Sequence, residues 1–270
     1  MKHEASGVLR VGAVPFLNAR PLVRYLDTTM TPALELRLEV PSRLAQMMQQ
    51  SLLDVAMLPS IEYLRAGNYR IIPGISISAD GLVQSVRIFS KRAIEEIRSL
   101  ALDESSRTSV ALAKILLKRK LGSLPHLTTC TPDARLGTVD ADAMLLIGDA
   151  AMALPPDEPA AIFDLGEEWK KLTGLPFVYA MWVTRGDADT RGLQPKLLRA
   201  RDQGVARLHE IAVEASSDLG LSLDVCLSYL RNIMRYELGE REIEALKTFQ
   251  KFAAEDGLCP GTVEIAVDSR

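Results

Sequence analysis

The stretch LALDESSRTSVALAKILLKRK, residues 100–120, contains the local pattern on which the fold prediction rests. An apolar run ends at Asp103, four hydroxyl residues and one arginine follow, and an apolar, helix-forming run continues to Lys120. A strand, a polar turn and a helix in this order form the repeating unit of α/β proteins. The stretch therefore predicts an α/β fold in which a helix begins soon after a buried strand.

The start of this helix is a candidate anion site. Its first backbone N–H groups have no acceptor within the helix, and the helix dipole places partial positive charge there. The polar residues at this point are Ser105, Ser106, Arg107, Thr108 and Ser109. Together with the free N–H groups they are suited to hold a carboxylate or a phosphate. The alternative is an ordinary capped start of a buried helix, and this stretch alone does not decide between the two.

The residues before this stretch repeat the alternation of strand and helix. Strands are predicted at 8–14, 34–40 and 54–58, because each segment is apolar or alternates and ends near a turn residue. Between them, Pro21 suits the first turn of a short helix, and Ser42 is predicted to cap a longer one. This rhythm predicts a parallel sheet with helical crossovers.

A second unit of the same kind follows, and the tail is helical. Further strands are predicted at 83–90, 144–147, 161–165 and 177–184, and helices at 196–216, 222–236 and 240–255. The segments 83–90 and 177–184 bracket the second unit, so we expect both to cross between two lobes. The predicted division is 1–88 plus 183–270 for lobe one and 89–182 for lobe two, with a hinge-bent cleft between them.

Five polar residues fall at strand ends or on a predicted crossing segment. They are Asn18, Ser60, Ser85, Ser106 and Asp149. Ligands of α/β sheets bind outside the carboxyl ends of the strands, so this convergence predicts a site for a small anionic ligand. Each residue also has a structural alternative: Asn18 suits a loop turn, Ser85 suits a small polar residue tolerated in a strand, and Ser60, Ser106 and Asp149 suit helix capping.

Composition excludes several other classes of function. The formal net charge of −3 gives no basic surface for nucleic acid, and the aromatic content of 5% argues against base stacking. No apolar run approaches the ~20 residues of a membrane span, and the polar start followed by a strand does not resemble a signal peptide, so we expect a cytoplasmic protein. The scattered cysteines and histidines predict neither disulfides nor a metal site, and no cofactor is expected. These residues are Cys130, Cys226, Cys259, His3, His126 and His209.

Six motifs, in order along the chain, resemble those of one enzyme family. They are VGAVPFLNARP (11–21), DVAMLPSIEY (54–63), SVRIFS (85–90), SSRTS (105–109), LIGDAA (146–151) and DLGEEWKKLTGLPFVYAMW (164–182). The set resembles the chorismate dehydratases of the futalosine route to menaquinone. The resemblance covers residues 8–257 and implies the two-lobed periplasmic-binding-protein fold of type II. It also implies a hydro-lyase that converts chorismate to 3-[(1-carboxyvinyl)oxy]benzoate and water.

The resemblance also implies roles for individual residues. Asn18 and Ser85 match the family's catalytic positions, Asn18 beside the departing hydroxyl or a carboxylate and Ser85 as a donor to a carboxylate. The candidate substrate-binding residues are Ser60, Ser106, Arg107, Thr108, Ser109 and Asp149. For Arg107, an outward position or a pair with Asp103 remains open. The substrate is a small molecule, and the protein is expected to be a monomer or a homodimer with no nucleic-acid or membrane partner.

Two alternatives and one mechanistic question remain open at this point. The first alternative is a solute-binding protein without chemistry, and the second is the dihydroxynaphthoate synthase of the same pathway. That enzyme's activity is associated with a histidine, and neither His126 nor His209 lies in a recognisable motif. No residue of the sequence stands out as a general base, so the substrate's own enolpyruvyl carboxylate is a candidate to take the C3 proton.

Overall fold

Two β-sheets organise the structure, a computed structural model that describes residues 8–29, 31–103, 105–131, 133–154, 159–265 and 267. Each sheet is covered by helices, and the chain passes from the first sheet to the second and back again. The first sheet carries both the early strands and the late ones, so the middle of the chain forms a separate lobe. The mixed α/β architecture predicted from the sequence is therefore confirmed.

The first sheet has the strand order β11-β4-β10-β3-β1-β2. Its strands are β1 (Val8–Ala13), β2 (Ala33–Leu38), β3 (Val55–Pro59), β4 (Tyr69–Ala79), β10 (Phe177–Arg185) and β11 (Met234–Arg235). β1 pairs in parallel with β2 and β3, as the alternation of strand and helix predicts. β10 is antiparallel to both β3 and β4, so this sheet is mixed rather than purely parallel.

The second sheet has the strand order β7-β6-β8-β5-β9. Its strands are β5 (Val86–Ser90), β6 (Ser99–Asp103), β7 (His126–Cys130), β8 (Ala143–Ile147) and β9 (Ala161–Asp164). β6 runs parallel to β7 and β8, whereas β5 is antiparallel to β8 and β9. The carboxyl end of β6 therefore meets that of β8 at one edge, close to where β5 begins.

Ten α-helices lie in the described part of the chain. They are α1 (Arg20–Val23), α2 (Pro41–Gln49), α3 (Ser60–Ala66), α4 (Thr108–Leu121), α5 (Gly148–Ala153), α6 (Leu165–Thr173), α7 (Leu193–Ala206), α8 (Leu208–Leu219), α9 (Leu223–Ser228) and α10 (Glu240–Glu255). A π-helical segment, Tyr229–Ile233, follows α9 directly. No helix among these residues is long and apolar enough to cross a bilayer.

Three local predictions were wrong. Ser42 does not cap α2, because the helix already begins at Pro41, whose fixed φ suits the first helical position. The helix predicted at 196–216 is two helices, broken at Arg207. The helix predicted at 222–236 stops at Ser228 and continues as a π-helical turn and then β11. Apolar periodicity does not record such breaks, because both sides of each break face the same core.

An aromatic cluster joins the two lobes behind the crossing segments. The ring centroid of Phe177 in β10 lies 5.1 Å from that of Trp169 in α6 and 5.0 Å from that of Phe249 in α10, and both pairs are edge to face. The Trp169 indole N–H donates to the carbonyl of Pro176 at 2.8 Å, so the buried ring also fixes the turn before β10. This packing explains the segment WKKLTGLPF (169–177) as a structural joint.

The side chain of Asp164 holds together the two connections between the sheets, residues 79–86 and 164–177. It caps α6 by accepting from the backbone N–H groups of Gly166 and Glu167, each at 3.1 Å. It also accepts from the backbone N–H groups of Val83 at 3.0 Å and Gln84 at 2.8 Å, on the other crossing segment. One buried carboxylate therefore fixes both connections between the lobes.

The sheets change over between Ala79 and Val86 on the way out, and between Asp164 and Phe177 on the way back. All of β10 pairs within the first sheet. The division of the lobes at 88/89 and 182/183 stays a prediction, and the parts of predicted lobe one at 1–7, 30, 266 and 268–270 lie outside the described residues. So do 104, 132 and 155–158 within predicted lobe two.

Candidate functional site

A cleft between the two lobes brings most of the predicted site residues together. Six of the eight line it: Asn18, Ser85, Ser106, Arg107, Thr108 and Ser109. The walls are mainly apolar, and the cleft, counted together with the open solvent at its mouth, has a volume of about 530 Å³ that protein atoms do not fill. Apolar walls with a few polar groups are typical of small-molecule sites.

Asn18 lies on a tight turn directly after β1. The turn is a single 3₁₀ turn, Leu17–Ala19, in which Leu17 and Ala19 are buried and anchor the backbone. Asn18 Oδ1 is buried and accepts no hydrogen bond from the described residues. A buried acceptor without a donor costs about 1–3 kcal/mol, so this atom is suited to accept from a ligand.

Ser85 is fixed by its backbone and by its side chain. Its N–H donates to the carbonyl of Val83 and its carbonyl accepts from Gly148, both at 2.8 Å. Its Oγ accepts from the hydroxyl of Tyr229 at 2.7 Å. The preceding residue, Gln84, has a φ of 63°, a conformation that side chains other than glycine rarely adopt. The crossing segment thus holds Ser85 at the cleft in one orientation.

The helix start predicted as an anion site faces the cleft at the beginning of α4. Hydroxyl groups do not cap this helix: its N-cap residue is Arg107, with no side-chain cap. The turn is instead organised by Asp103, whose Oδ1 accepts from the N–H of Ser105 at 2.8 Å and from its hydroxyl at 2.6 Å. The first N–H groups of α4 therefore remain available to a ligand, together with the Ser106 and Ser109 hydroxyls.

Thr108 has a second role that the sequence did not predict. Its Oγ1 accepts a hydrogen bond from the backbone N–H of Ile61, in the first turn of α3, at 3.2 Å. The two residues belong to different lobes, so this bond bridges the cleft. Thr108 keeps its own hydroxyl proton for donation, because a hydroxyl both donates and accepts.

Ser60 and Asp149 are not among the residues that line the cleft in the described chain. Ser60 is fully buried, and its hydroxyl donates to the carbonyl of Val178 in β10. Asp149 lies inside α5 rather than capping it, and its Oδ1 accepts from the backbone N–H of Leu17 at 3.1 Å. Both residues fix backbone segments beside the cleft, so ligand contact at either one stays a prediction.

The electrostatics of the cleft favour an anion. Arg107 is exposed and is the one charged side chain among the lining residues that the structure describes. Behind the wall, burial raises the pKa of the Asp149 carboxyl, while the Leu17 N–H and the charge of Arg20 lower it. A nearby carboxyl that resists ionisation adds less repulsion toward an anionic ligand than an exposed one.

Three neighbours of the site were not among the predicted site residues. Tyr179 lines the cleft, and its buried hydroxyl has no partner among the described residues. Phe16 also lines the cleft and lies against Gly148, although no motif assigned it a role. Tyr229 reaches Ser85 from a segment 144 residues away in sequence, a contact for which no local signal exists.

The chain is similar in sequence to proteins that are named for an enzyme activity. A family model described as "Menaquinone biosynthesis" matches residues 9–255. A protein of Thermus thermophilus named "Chorismate dehydratase" is 31% identical over 261 residues, which span 88% of this chain and 93% of the relative. A second "Chorismate dehydratase", from Campylobacter jejuni, is 27% identical over 246 residues, covering 89% of this chain and 95% of the relative.

Solved structures confirm the fold predicted from the sequence. A protein of Archaeoglobus fulgidus superposes with a TM-score of 0.73 at 21% identity, covering 94% of this chain and all of that one. The periplasmic aliphatic sulphonate binding protein of Escherichia coli superposes with a TM-score of 0.66 at 14% identity, covering 98% and 95%. At these identities the likeness shows the fold alone, which is that of the periplasmic binding proteins.

Proposed function

The chain belongs to the menaquinone biosynthesis family, and we propose that it is a chorismate dehydratase whose active site is the cleft between the lobes. The family and the hydro-lyase activity predicted from the sequence are confirmed by the matched family model and the two dehydratases. The residues assigned below to substrate and chemistry are our proposal.

The observation that carries this assignment is the pattern of donors and acceptors in the cleft. Hydroxyl groups and free helix N–H groups at the start of α4 supply donors, and Arg107 supplies the charge at its rim. Asn18 Oδ1 is the buried acceptor without a donor. Chorismate presents the complement: two carboxylates, which only accept at neutral pH, and one ring hydroxyl, which can donate. The ring hydroxyl is therefore the group suited to Asn18.

The reaction breaks the C3–H and C4–O bonds of chorismate, forms a C3–C4 double bond and releases water. The ring becomes aromatic, which supplies the driving force. The enzyme therefore has to orient the substrate and stabilise the charge that develops in the transition state. The C3 proton is acidified through the ring by the carboxylate on C1, so donors that hold this carboxylate also stabilise a carbanion-like transition state.

We assign this carboxylate-holding role to Ser106, Thr108 and Ser109 at the start of α4, with Arg107 at the entrance. Ser85 donates to a substrate carboxylate from the crossing segment, and Asn18 holds the departing hydroxyl from the other side. The substrate's own enolpyruvyl carboxylate takes the C3 proton, and that proton leaves with the hydroxyl as water. No described carboxylate lines the cleft, which agrees with a base supplied by the substrate.

The direct test is incubation of the purified protein with chorismate in EDTA, followed by ultraviolet spectroscopy and mass spectrometry. We expect loss of the diene absorption and a product lighter than chorismate by one water. Product that carries no enolpyruvyl ether would contradict the proposal, as would tight binding of chorismate without turnover. Activity lost in EDTA and restored by a divalent cation would contradict the cofactor-free reaction. The cytoplasmic location and the monomeric or dimeric state stay predictions, which fractionation and sedimentation can check.

A further inference from the structure

Tyr229 connects the C-terminal helices to the cleft. It begins the π-helical segment that follows α9, and such segments are rare and often lie at functional sites. Its hydroxyl donates to Ser85 Oγ at 2.7 Å, and each residue is 1% exposed, so water does not compete for the bond. Tyr229 is absent from the described residues that line the cleft, so it acts on a ligand there only through its neighbours.

The hydrogen bond determines where the proton of Ser85 points. A serine hydroxyl carries one proton and two lone pairs, and the tyrosine proton occupies one of these lone pairs. Burial raises the pKa of Tyr229 well above its ordinary value, so the phenol stays protonated and remains the donor. The Ser85 proton is thereby directed away from Tyr229, which leaves it free for an acceptor in the cleft.

Asn18 is the second cleft residue beside Tyr229. Burial raises the pKa of Tyr229, and the side chain of Asn18 is among the neighbours that partly offset this effect, so the two side chains lie close together. The Asn18 side-chain carbonyl has no donor in the described chain. Tyr229 therefore contacts Ser85 and neighbours Asn18, the two residues to which the proposed function gives the chemistry.

We propose that Tyr229 is a positioning residue for the dehydration, which directs the Ser85 proton toward the substrate. This inference rests on the proposed function of the cleft. It predicts a chain of hydrogen bonds from Tyr229 through Ser85 to a substrate carboxylate. Such chains strengthen each member, because every donor is polarised by the next.

The test begins with Tyr229→Phe, which removes the hydroxyl and keeps the ring. We expect kcat for chorismate to fall about tenfold or more, which corresponds to losing about one hydrogen bond's worth of transition-state stabilisation. KM should change by less than about twofold, because Tyr229 does not touch the substrate. The matched control is Tyr236→Phe, since Tyr236 is also buried but its hydroxyl has no partner among the described residues. Its kcat should be that of the wild type.

A double-mutant cycle with Ser85→Ala separates positioning from a general loss of structure. If Tyr229 acts through Ser85, adding Tyr229→Phe to Ser85→Ala should change the residual turnover much less than it changes the wild type. The free energy of unfolding in urea is measured for the same four proteins of the cycle. The double variant should be more stable than the two separate losses predict, because removing both partners leaves no orphaned hydroxyl. This second reading holds even where a single variant folds poorly.

Each outcome decides the matter. An unchanged kcat in Tyr229→Phe, equal losses in Tyr229→Phe and Tyr236→Phe, or independent effects in both cycles would overturn the positioning role while leaving the dehydratase in place. A wild-type protein that does not convert chorismate would overturn the proposed function itself, and this role with it.

Discussion

The carboxylate of Asp149, in the second lobe, accepts a hydrogen bond at 3.1 Å from the backbone N–H of Leu17 in the first. A second bond crosses between the lobes at 3.2 Å, from the N–H of Ile61 to Thr108 Oγ1. Asn18 follows Leu17 directly, so the first bond also fixes the loop that carries it. The two bonds hold the lobes together beside the cleft.

Asp149 makes the stability of the protein depend on pH. Burial raises the pKa of its carboxyl above the ordinary value near 4, so the folded state favours the protonated form. The stability that this preference contributes is complete below that value and is lost as the pH rises through the raised pKa. Asp149→Asn does not titrate. Its free energy of unfolding should therefore gain on that of the wild type as the pH rises above about 4 and through the raised pKa.

Urea unfolding at several pH values measures this difference. Asp140→Asn, at an exposed position, is the control and should follow the wild-type curve. Parallel curves for Asp149→Asn and the wild type would show that the buried carboxyl does not contribute to the pH dependence.

Asn18→Asp tests the proposed catalytic role of Asn18. The change keeps the size of the side chain but places a carboxylate beside Tyr229 and a dianionic substrate. We expect turnover of chorismate to fall by roughly 10²-fold or more, because the new negative charge repels the substrate carboxylates and the charge that develops in the transition state. Steady-state kinetics measure this, with Asn68→Asp as the control because Asn68 is exposed and does not line the cleft. Wild-type turnover in Asn18→Asp would leave Asn18 with a structural role only.

Ser106 and Thr108 are expected to differ in role: Ser106 contacts the ligand, whereas Thr108 also stabilises the fold. Ser106→Ala is expected to raise KM for chorismate with little change in melting temperature, because the lost hydroxyl faces the cleft. Thr108→Ala orphans the buried N–H of Ile61 as well, so it should also cost about 1–3 kcal/mol of stability. Thr108→Ser keeps the hydroxyl and should restore most of both. The two alanine variants losing the same stability would contradict this distinction.

Gly148→Ala tests the contact between the walls of the cleft. Gly148 has a φ of +61°, and an added Cβ would lie 3.0 Å from the ring of Phe16 in the other lobe. Gly122 has a φ of +79° with no atom within 4 Å of its Cβ position, so Gly122→Ala carries the backbone strain without the contact. Both variants should lose about 1–2 kcal/mol of stability. KM for chorismate should rise only in Gly148→Ala, and an equal rise in both would show that the contact is irrelevant.

The sequence predicted those parts of the fold that local patterns record. The alternation of apolar strands and helices identified β1, β3, β6 and β8 and the helix α4, because each buries a short apolar run between turn residues. It did not predict β4 or β7. Polar residues and a proline interrupt the pattern of β4, and β7 is an edge strand with little buried surface.

The candidate site could be predicted only where its residues stand at the ends of elements. Asn18, Ser85 and the start of α4 do so, and the structure brings all of them to one cleft. Tyr229 lies inside a helical, apolar stretch, where an aromatic residue usually signals core packing. Its contact with Ser85 depends on how the C-terminal helices dock on the crossing segments, and no pattern of neighbouring residues encodes that. The buried pairing of Ser60 with Val178 was hidden for the same reason.

The last residue of β4, Ala79, is paired directly with the first residue of β10, Phe177. Topologically, the second lobe is therefore an insertion at the tip of one antiparallel hairpin, and it leaves and re-enters the first lobe at a single rung. Such an insertion can be exchanged as a unit. Replacing it with that of a relative alters about half of the residues that line the cleft, while the pairing of β4 with β10 keeps its register. New substrate specificities can thus arise by lobe exchange, without redesign of the sheet that carries the hairpin.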